Sequence, residues 1–171
     1  PKNARAHANL GVVLARMGRT DDAIRAYREA ARLDPSNARI HYSLANALAD
    51  AGATAEAEAS FREAIRLDPS KVDARVNLGV LLNQLDRTEE ALVEYREALK
   101  LDPANAEALS WVDEHLRQKR MYTDLRDVLM AASRVHSQPL ETRKAQLRDV
   151  AGICETQLRD LDTAISASKQ I

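Results

Sequence analysis

A chain of 171 residues with 45% hydrophobic and 30% charged side chains can bury a core and is too apolar to remain disordered. Five Gly, five Pro and 4% aromatic residues among many Ala, Leu, Arg, Glu and Asp point to helix throughout. The 25 basic and 26 acidic side chains nearly cancel, leaving a net charge of −1 and no global field for nucleic acid or an anionic membrane.

The lone Cys154 excludes an internal disulfide, and no stretch approaches the roughly 20 apolar residues of a membrane span, so no membrane insertion is expected and a reducing, cytoplasmic setting is favoured. The chain starts at Pro1 without an initiator Met or signal-like segment and reads as an excised part of a larger protein.

Residues 4–17 place Leu10, Val13, Leu14 and Met17 at spacings of three and four, which predicts a helix with an apolar stripe on one face. Gly18 is suited to end it, Thr20 to cap the next, and Asp21 and Asp22 to sit at that helix's positive end. The second helix runs to about Leu33, with Ala23, Ile24, Tyr27, Ala30 and Ala31 inward, and Asp34-Pro35 stops it. The same punctuation returns: a helix over 38–51, Gly52, Thr54 as cap and a helix to about Leu67. A third round has a helix over 72–85, a turn through Asp86, Thr88 as cap with Glu89 and Glu90, and a helix to Leu101. Leu-Asp-Pro recurs at 33–35, 67–69 and 101–103, a fixed period of 34 residues, which means a solenoid.

Beyond Pro103 the pattern decays. Helices are expected over 106–119, with Leu109, Val112 and Leu116, and over 122–136, with Leu125, Val128, Leu129 and Ala132. Ser137-Gln138-Pro139 breaks the chain before a longer helix over 140–158 and a last one from Asp162. Ala151-Gly152 and Ala164 match Leu78-Gly79 and Ala91 at a shift of 73, five residues more than two periods. A first helix lengthened by more than a turn would absorb the excess.

Three sets of residues share one set of offsets: Leu10, Gly11, Leu14, Ala23, Tyr27, Ala30 and Pro35; Leu44, Ala45, Leu48, Ala57, Phe61, Ala64 and Pro69; Leu78, Gly79, Leu82, Ala91, Tyr95, Ala98 and Pro103. This resembles the tetratricopeptide repeat, in which Gly or Ala lets paired helices approach and the aromatic fills the space beside the following helix. The resemblance implies an all-α, right-handed α-α superhelix of about ten helices. Three regular repeats (4–37, 38–71, 72–105) would be followed by two degenerate ones (106–139, 140–171) in a single domain. His7, His41 and Arg75 replace the large first residue, and Asp113, Leu125 and Leu129 depart from the pattern in the fourth repeat.

What the resemblance implies for function is a concave groove, lined by the first helix of each repeat, that takes a peptide or a partner protein. The matching offsets are Arg5, Ala8, Asn9, Val12 and Arg16, then Arg39, Tyr42, Ser43, Asn46 and Asp50, then Asp73, Val76, Asn77, Val80 and Gln84, then Glu107, Ser110, Trp111, Glu114 and Gln118. Asn9, Ser43, Asn77 and Trp111 share one offset, which resembles the asparagine ladder of the repeats attached to O-linked N-acetylglucosamine transferases. An Asn amide offers donor and acceptor to a peptide backbone, or it hydrates an exposed face or bonds within the stack. Trp111 either anchors a partner or packs locally against the fifth repeat. Arg5, Arg16 and Arg39 tint one end basic, and Asp73, Glu107 and Glu114 tint the other acidic. The clamp of Lys, Asn, Asn, Lys and Arg that holds chaperone C-terminal carboxylates in this family reads Ala8, Val12, Ser43, Asp73 and Asn77 here, which removes that partner class.

No catalytic or metal site, and no cofactor, is expected. His7 and His41 recur one period apart without a third ligand, Cys154 has no activating His, and neither a glycine-rich phosphate loop nor HExxH occurs. The sequence points to a non-catalytic scaffold or adaptor. The alternatives are a structural or self-associating solenoid, or the regulatory arm of an enzyme whose catalytic domain lies outside this chain.

Overall fold

The computed structural model describes residues 2–171, apart from the Lys2 side chain. They form ten α-helices and one π turn, with no strand among the described residues. The helices are α1 Lys2–Arg16, α2 Thr20–Leu33, α3 Ala38–Asp50, α4 Thr54–Leu67, α5 Val72–Gln84, α6 Thr88–Leu101, α7 Ala106–Gln118, α8 Tyr122–Ser133, α9 Leu140–Ile153 and α10 Leu161–Ser168. The π turn, Cys154–Leu158, continues α9. Two compact units result, Pro1–Glu94 and Tyr95–Ile171, divided within α6.

In the N-terminal unit each helix pair turns through one left-handed residue, as the glycines predict. Gly18 and Gly52 have φ of 71° and 75°, and the amides of the residues just after them, Arg19 and Ala53, donate to Leu14 and Leu48 carbonyls at 2.9 Å. Asp86 holds the third such position at φ 59°, where Asp is among the few side chains tolerated.

Thr20 and Thr54 do not cap. The helices begin at these threonines, and the preceding residues, Arg19 and Ala53, make no side-chain cap bond. The reason is the turn itself: its closing amide belongs to the residue just before the threonine, whose carbonyl already accepts the first helical bond, 3.0 Å from Ala23 N to Arg19 O. Side-chain capping falls instead to Asn37 at α3, whose Oδ1 accepts from Arg39 N. Asp21 and Asp22 do occupy the first turn of α2, and the Arg19 guanidinium beside Asp22 holds its carboxyl below the usual range.

The core follows the repeat offsets, with Ala23, Ala30, Ala45, Ala57, Leu78 and Ala91 fully out of water. At Gly11 an added Cβ would lie 2.6 Å from the Tyr27 ring, so the small residue is required there. The apolar stripe on α1 is only partly covered. Leu14 is buried, but Leu10, Val13 and Met17 are 49%, 54% and 64% exposed. Their equivalents Leu44 and Ala47 are buried because α2 packs against α3, and among the described residues no helix covers α1 in that way. Outside, Arg28 pairs with Glu56 at 2.6 Å and Arg62 with Glu90 at 3.7 Å, a ladder at the repeat period that joins successive second helices.

The C-terminal unit keeps the plan with two alterations. α8 stops at Ser133, short of the expected 136, because Gln138 Nε2 and Arg143 Nε donate to the Ala132 and Ser133 carbonyls at 2.7 and 2.9 Å. α9 corrects the alignment of Ala151-Gly152 with Leu78-Gly79. Val150, Ala151, Ile153 and Cys154 are the buried residues and correspond to Leu78, Gly79, Leu81 and Leu82, a shift of 72, while a Cβ on Gly152 would meet nothing within 4 Å. The π turn absorbs the remaining residue. Asp160 N donates to Cys154 O at 2.9 Å, six positions apart instead of the five of the regular turns, with Arg159 left-handed at φ 55°. Past it, Ala164 is buried at the expected shift of 73.

Candidate partner-binding face

In the N-terminal unit the face built from first helices presents Arg5, Asn9, Val12 and Arg16 from α1, all exposed. From α3 come exposed Arg39 and Asp50 and half-buried Tyr42, Ser43 and Asn46; from α5 come exposed Asp73 and Gln84 and half-buried Asn77 and Val80. Ala8 is half-buried. Val76, placed on this face by its offset, is instead 4% exposed and belongs to the core, since an aliphatic side chain there gains by leaving water.

Three of these side chains are already engaged. Asn77 Nδ2 donates to Asn46 Oδ1 at 2.8 Å and to Tyr42 Oη at 3.2 Å. That uses both Asn77 hydrogens and leaves its Oδ1, the Asn46 amide hydrogens and the Tyr42 hydroxyl hydrogen for a ligand. The Tyr42 ring is tilted against Phe61 at 6.2 Å and carries the Lys71 ammonium 4.6 Å from its centroid. Lys71 was not legible in the sequence, because it lies in a loop outside the helical offsets. Ser43 points to the previous repeat's aromatic: burial pushes the Tyr27 phenol up, and a hydrogen bond with Ser43 opposes it.

Charge is distributed unevenly. Arg25, Arg28, Arg32, Arg62 and Arg66 of the second helices are in ion pairs. Arg5, Arg16 and Arg39 are in none among the described residues. Uncommitted charge of both signs therefore lies on the first-helix face, Arg5, Arg16 and Arg39 beside Asp50 and Asp73.

In the C-terminal unit Trp111 is half-buried on α7, its ring 4.7 Å from Tyr95 and 4.9 Å from His115. Its ring contacts are thus with Tyr95 of α6 and His115 of its own helix. The same offset meets the same aromatic position as in the Ser43 and Tyr27 pair. Glu114 is exposed and accepts from Gln118 Nε2 at 3.2 Å; Glu107 and Ser110 are also exposed. Burial, with Glu107 adding, pushes the Tyr95 phenol up to about 12. A raised phenol stabilises the fold below the ordinary tyrosine range, and that stability goes as pH rises through about 12. Alkaline titration at 295 nm should find Tyr27 and Tyr95 ionising late, and Tyr95→Phe should remove the step near pH 12.

The side chains weighed for catalysis have structural work. His41 Nε2–H donates to the Pro35 carbonyl at 2.9 Å, and Arg75, at the same offset, reaches the Pro69 carbonyl at 3.3 Å. That offset ties down the loop between repeats. Cys154 is buried, and desolvation pushes its thiol up, away from the thiolate that nucleophilic chemistry needs. No described helix is long and apolar enough to cross a membrane.

A family model described as "Tetratricopeptide repeat" matches residues 8–71 and 42–106. Among solved structures, the Arabidopsis OM64 TPR domain is 25% identical over 69% of this chain and 97% of its own, with a TM-score of 0.64. The first TPR of Spaghetti (RPAP3), bound to the HSP90 peptide SRMEEVD, is 27% identical over 70% of this chain and 94% of its own, with a TM-score of 0.65. PilF of Pseudomonas aeruginosa, at 24% identity, shares the fold over 99% of this chain and 75% of its own, with a TM-score of 0.69. No curated protein sequence matches.

Proposed function

Since the chain belongs to the tetratricopeptide repeat family, we propose that it is a non-catalytic module that binds a peptide or partner protein on its first-helix face. The observation that carries this reading is the uncommitted set on α1, α3 and α5. Among the described residues Arg5, Arg16 and Arg39 are in no ion pair and outnumber the unpaired Asp50 and Asp73 on this face, while the second-helix arginines are paired, and the Asn77, Asn46 and Tyr42 cluster keeps one acceptor and several donors free. Exposed arginines next to such a cluster suit an extended segment whose backbone bonds the amides and whose acidic side chains face the arginines.

A relative holds an HSP90 peptide ending in Asp. Here the positions that would clamp a terminal carboxylate are Ala8, Val12, Ser43, Asp73 and Asn77, none of them cationic. An internal acidic segment is accordingly the favoured ligand, ahead of a chaperone tail. Immobilised chain should retain a partner from native extract that the Asn77→Ala variant retains less well. Equal retention by both would move the binding surface off this face.

Self-association is the second reading, favoured by exposed Leu10, Val13 and Met17 on α1. Sedimentation across a hundredfold concentration range separates the two, since only a self-associating chain gains mass with concentration.

A further inference from the structure

α1 and α10 each leave an apolar face without a cover among the described residues. On α1 the face is Ala6, Leu10, Val13 and Met17, spaced by three and four, all exposed and the last three at 49%, 54% and 64%. One repeat later the first three offsets hold Ile40, Leu44 and Ala47, and two repeats later Ala74, Leu78 and Leu81; none of these is more than 7% exposed. What lies against them is a second helix, α2 on α3 and α4 on α5. Ile40 shares a core cluster with Ala30 of α2. The α1 face is therefore a seat for a second helix of this kind of repeat.

On α10 the complementary half is open. This helix packs on α9 and buries Ala164 and Ala167, whereas Leu161 and Ile165, one turn apart, are 64% and 53% exposed. Ile165 follows Ala164 as Ile24 follows Ala23, and Ile24 is only 6% exposed on α2, which has α3 against it. One chain thus carries both halves of the junction that its own repeats use, and both are uncovered. Apolar faces of this kind in repeat proteins call for a polar cap or a neighbour.

We propose that α10 of one copy packs on α1 of the next, repeating the α2 on α3 contact, so that copies associate head to tail. The two surfaces differ, so the contact is heterologous, and each added copy leaves one of each open. This rests on the self-association reading above and gives it a mode. The arginine face is spared, because Arg5, Asn9, Val12 and Arg16 each precede a residue of the apolar stripe and lie about 100° around the helix from it.

The test blocks the two surfaces one at a time in the full chain. Val13→Glu and Ile165→Glu each put a carboxylate into the contact and should weaken association about tenfold or more. Those positions are 54% and 53% exposed, so the monomeric variants should melt with the wild type. In sedimentation the wild type should grow past two copies as concentration rises, while each variant alone stays monomeric over the same range. An equimolar mixture of the two variants should form a dimer and nothing larger, since each supplies the surface the other lacks. Met17→Glu with Leu161→Glu, both at positions 64% exposed, should reproduce the result. Association that survives Ile165→Glu, or a mixture that stays monomeric while the wild type associates, would overturn the proposal and leave self-association by another face standing. A wild type that is monomeric throughout would overturn both. None of these results bears on acidic peptides at the arginine face.

Discussion

Replacing Leu78 with alanine should cost about 2–5 kcal/mol in urea denaturation, the range for truncating a fully buried leucine. Leu78 has no exposed surface, and it recurs at the offset of Leu10 and Leu44. Leu10→Ala at that same offset should cost well under half as much, since Leu10 is already 49% exposed and leaves little cavity behind. The pair separates two accounts of the repeat pattern. If the motif leucine acted through local helix propensity, both replacements would have similar effects. If it acts through the neighbouring repeat, only the covered one matters, and stability belongs to the interfaces between repeats.

That contrast also marks where sequence reading stopped. The helix positions, the Gly18 and Gly52 turns and the buried alanines were legible, because each depends on residues a few positions apart. Exposure of Leu10, Val13 and Met17 was not, because periodicity says which face is apolar and not whether another helix lies against it. The threonines misled for a similar reason. Thr20 has cap chemistry, but the left-handed turn had already placed the start of the helix one residue earlier. In the fifth repeat, small residues suggested Ala151-Gly152 as the core pair, yet burial of Val150, Ile153 and Cys154 together outweighs a single glycine match, and the π turn accommodates the mismatch.

For the candidate face, offsets identified which residues share a side and missed how they are used. Asn77, Asn46 and Tyr42 were legible as residues of one face, whereas the bonds among them and the Lys71 ammonium beside Tyr42 depend on side-chain direction. Trp111 was legible as unusual; its place between Tyr95 and His115 was not.

Phe61→Ala should be the other large loss, about 3–5 kcal/mol for emptying a buried aromatic site. Phe61 is 1% exposed, and the Tyr42 ring packs on it. The variant should therefore also loosen the Tyr42 and Asn77 bond, which an upfield or broadened Asn77 side-chain amide resonance would report in chain that is still folded. Phe61→Leu, which refills most of the volume, should recover more than half of the stability. Full stability in Phe61→Ala would contradict the role of this aromatic as the filler between repeats.

The central claim is that the first-helix face of the N-terminal unit binds an extended acidic segment. It is tested most directly by selecting binders from a random peptide library and measuring them against wild type and an Arg5→Glu, Arg16→Glu, Arg39→Glu variant at low and high salt. The account predicts peptides enriched in Asp and Glu, weakened by salt, and bound about tenfold or more less tightly by the variant. Peptides without acidic enrichment, held equally by both proteins at every salt concentration, would contradict it.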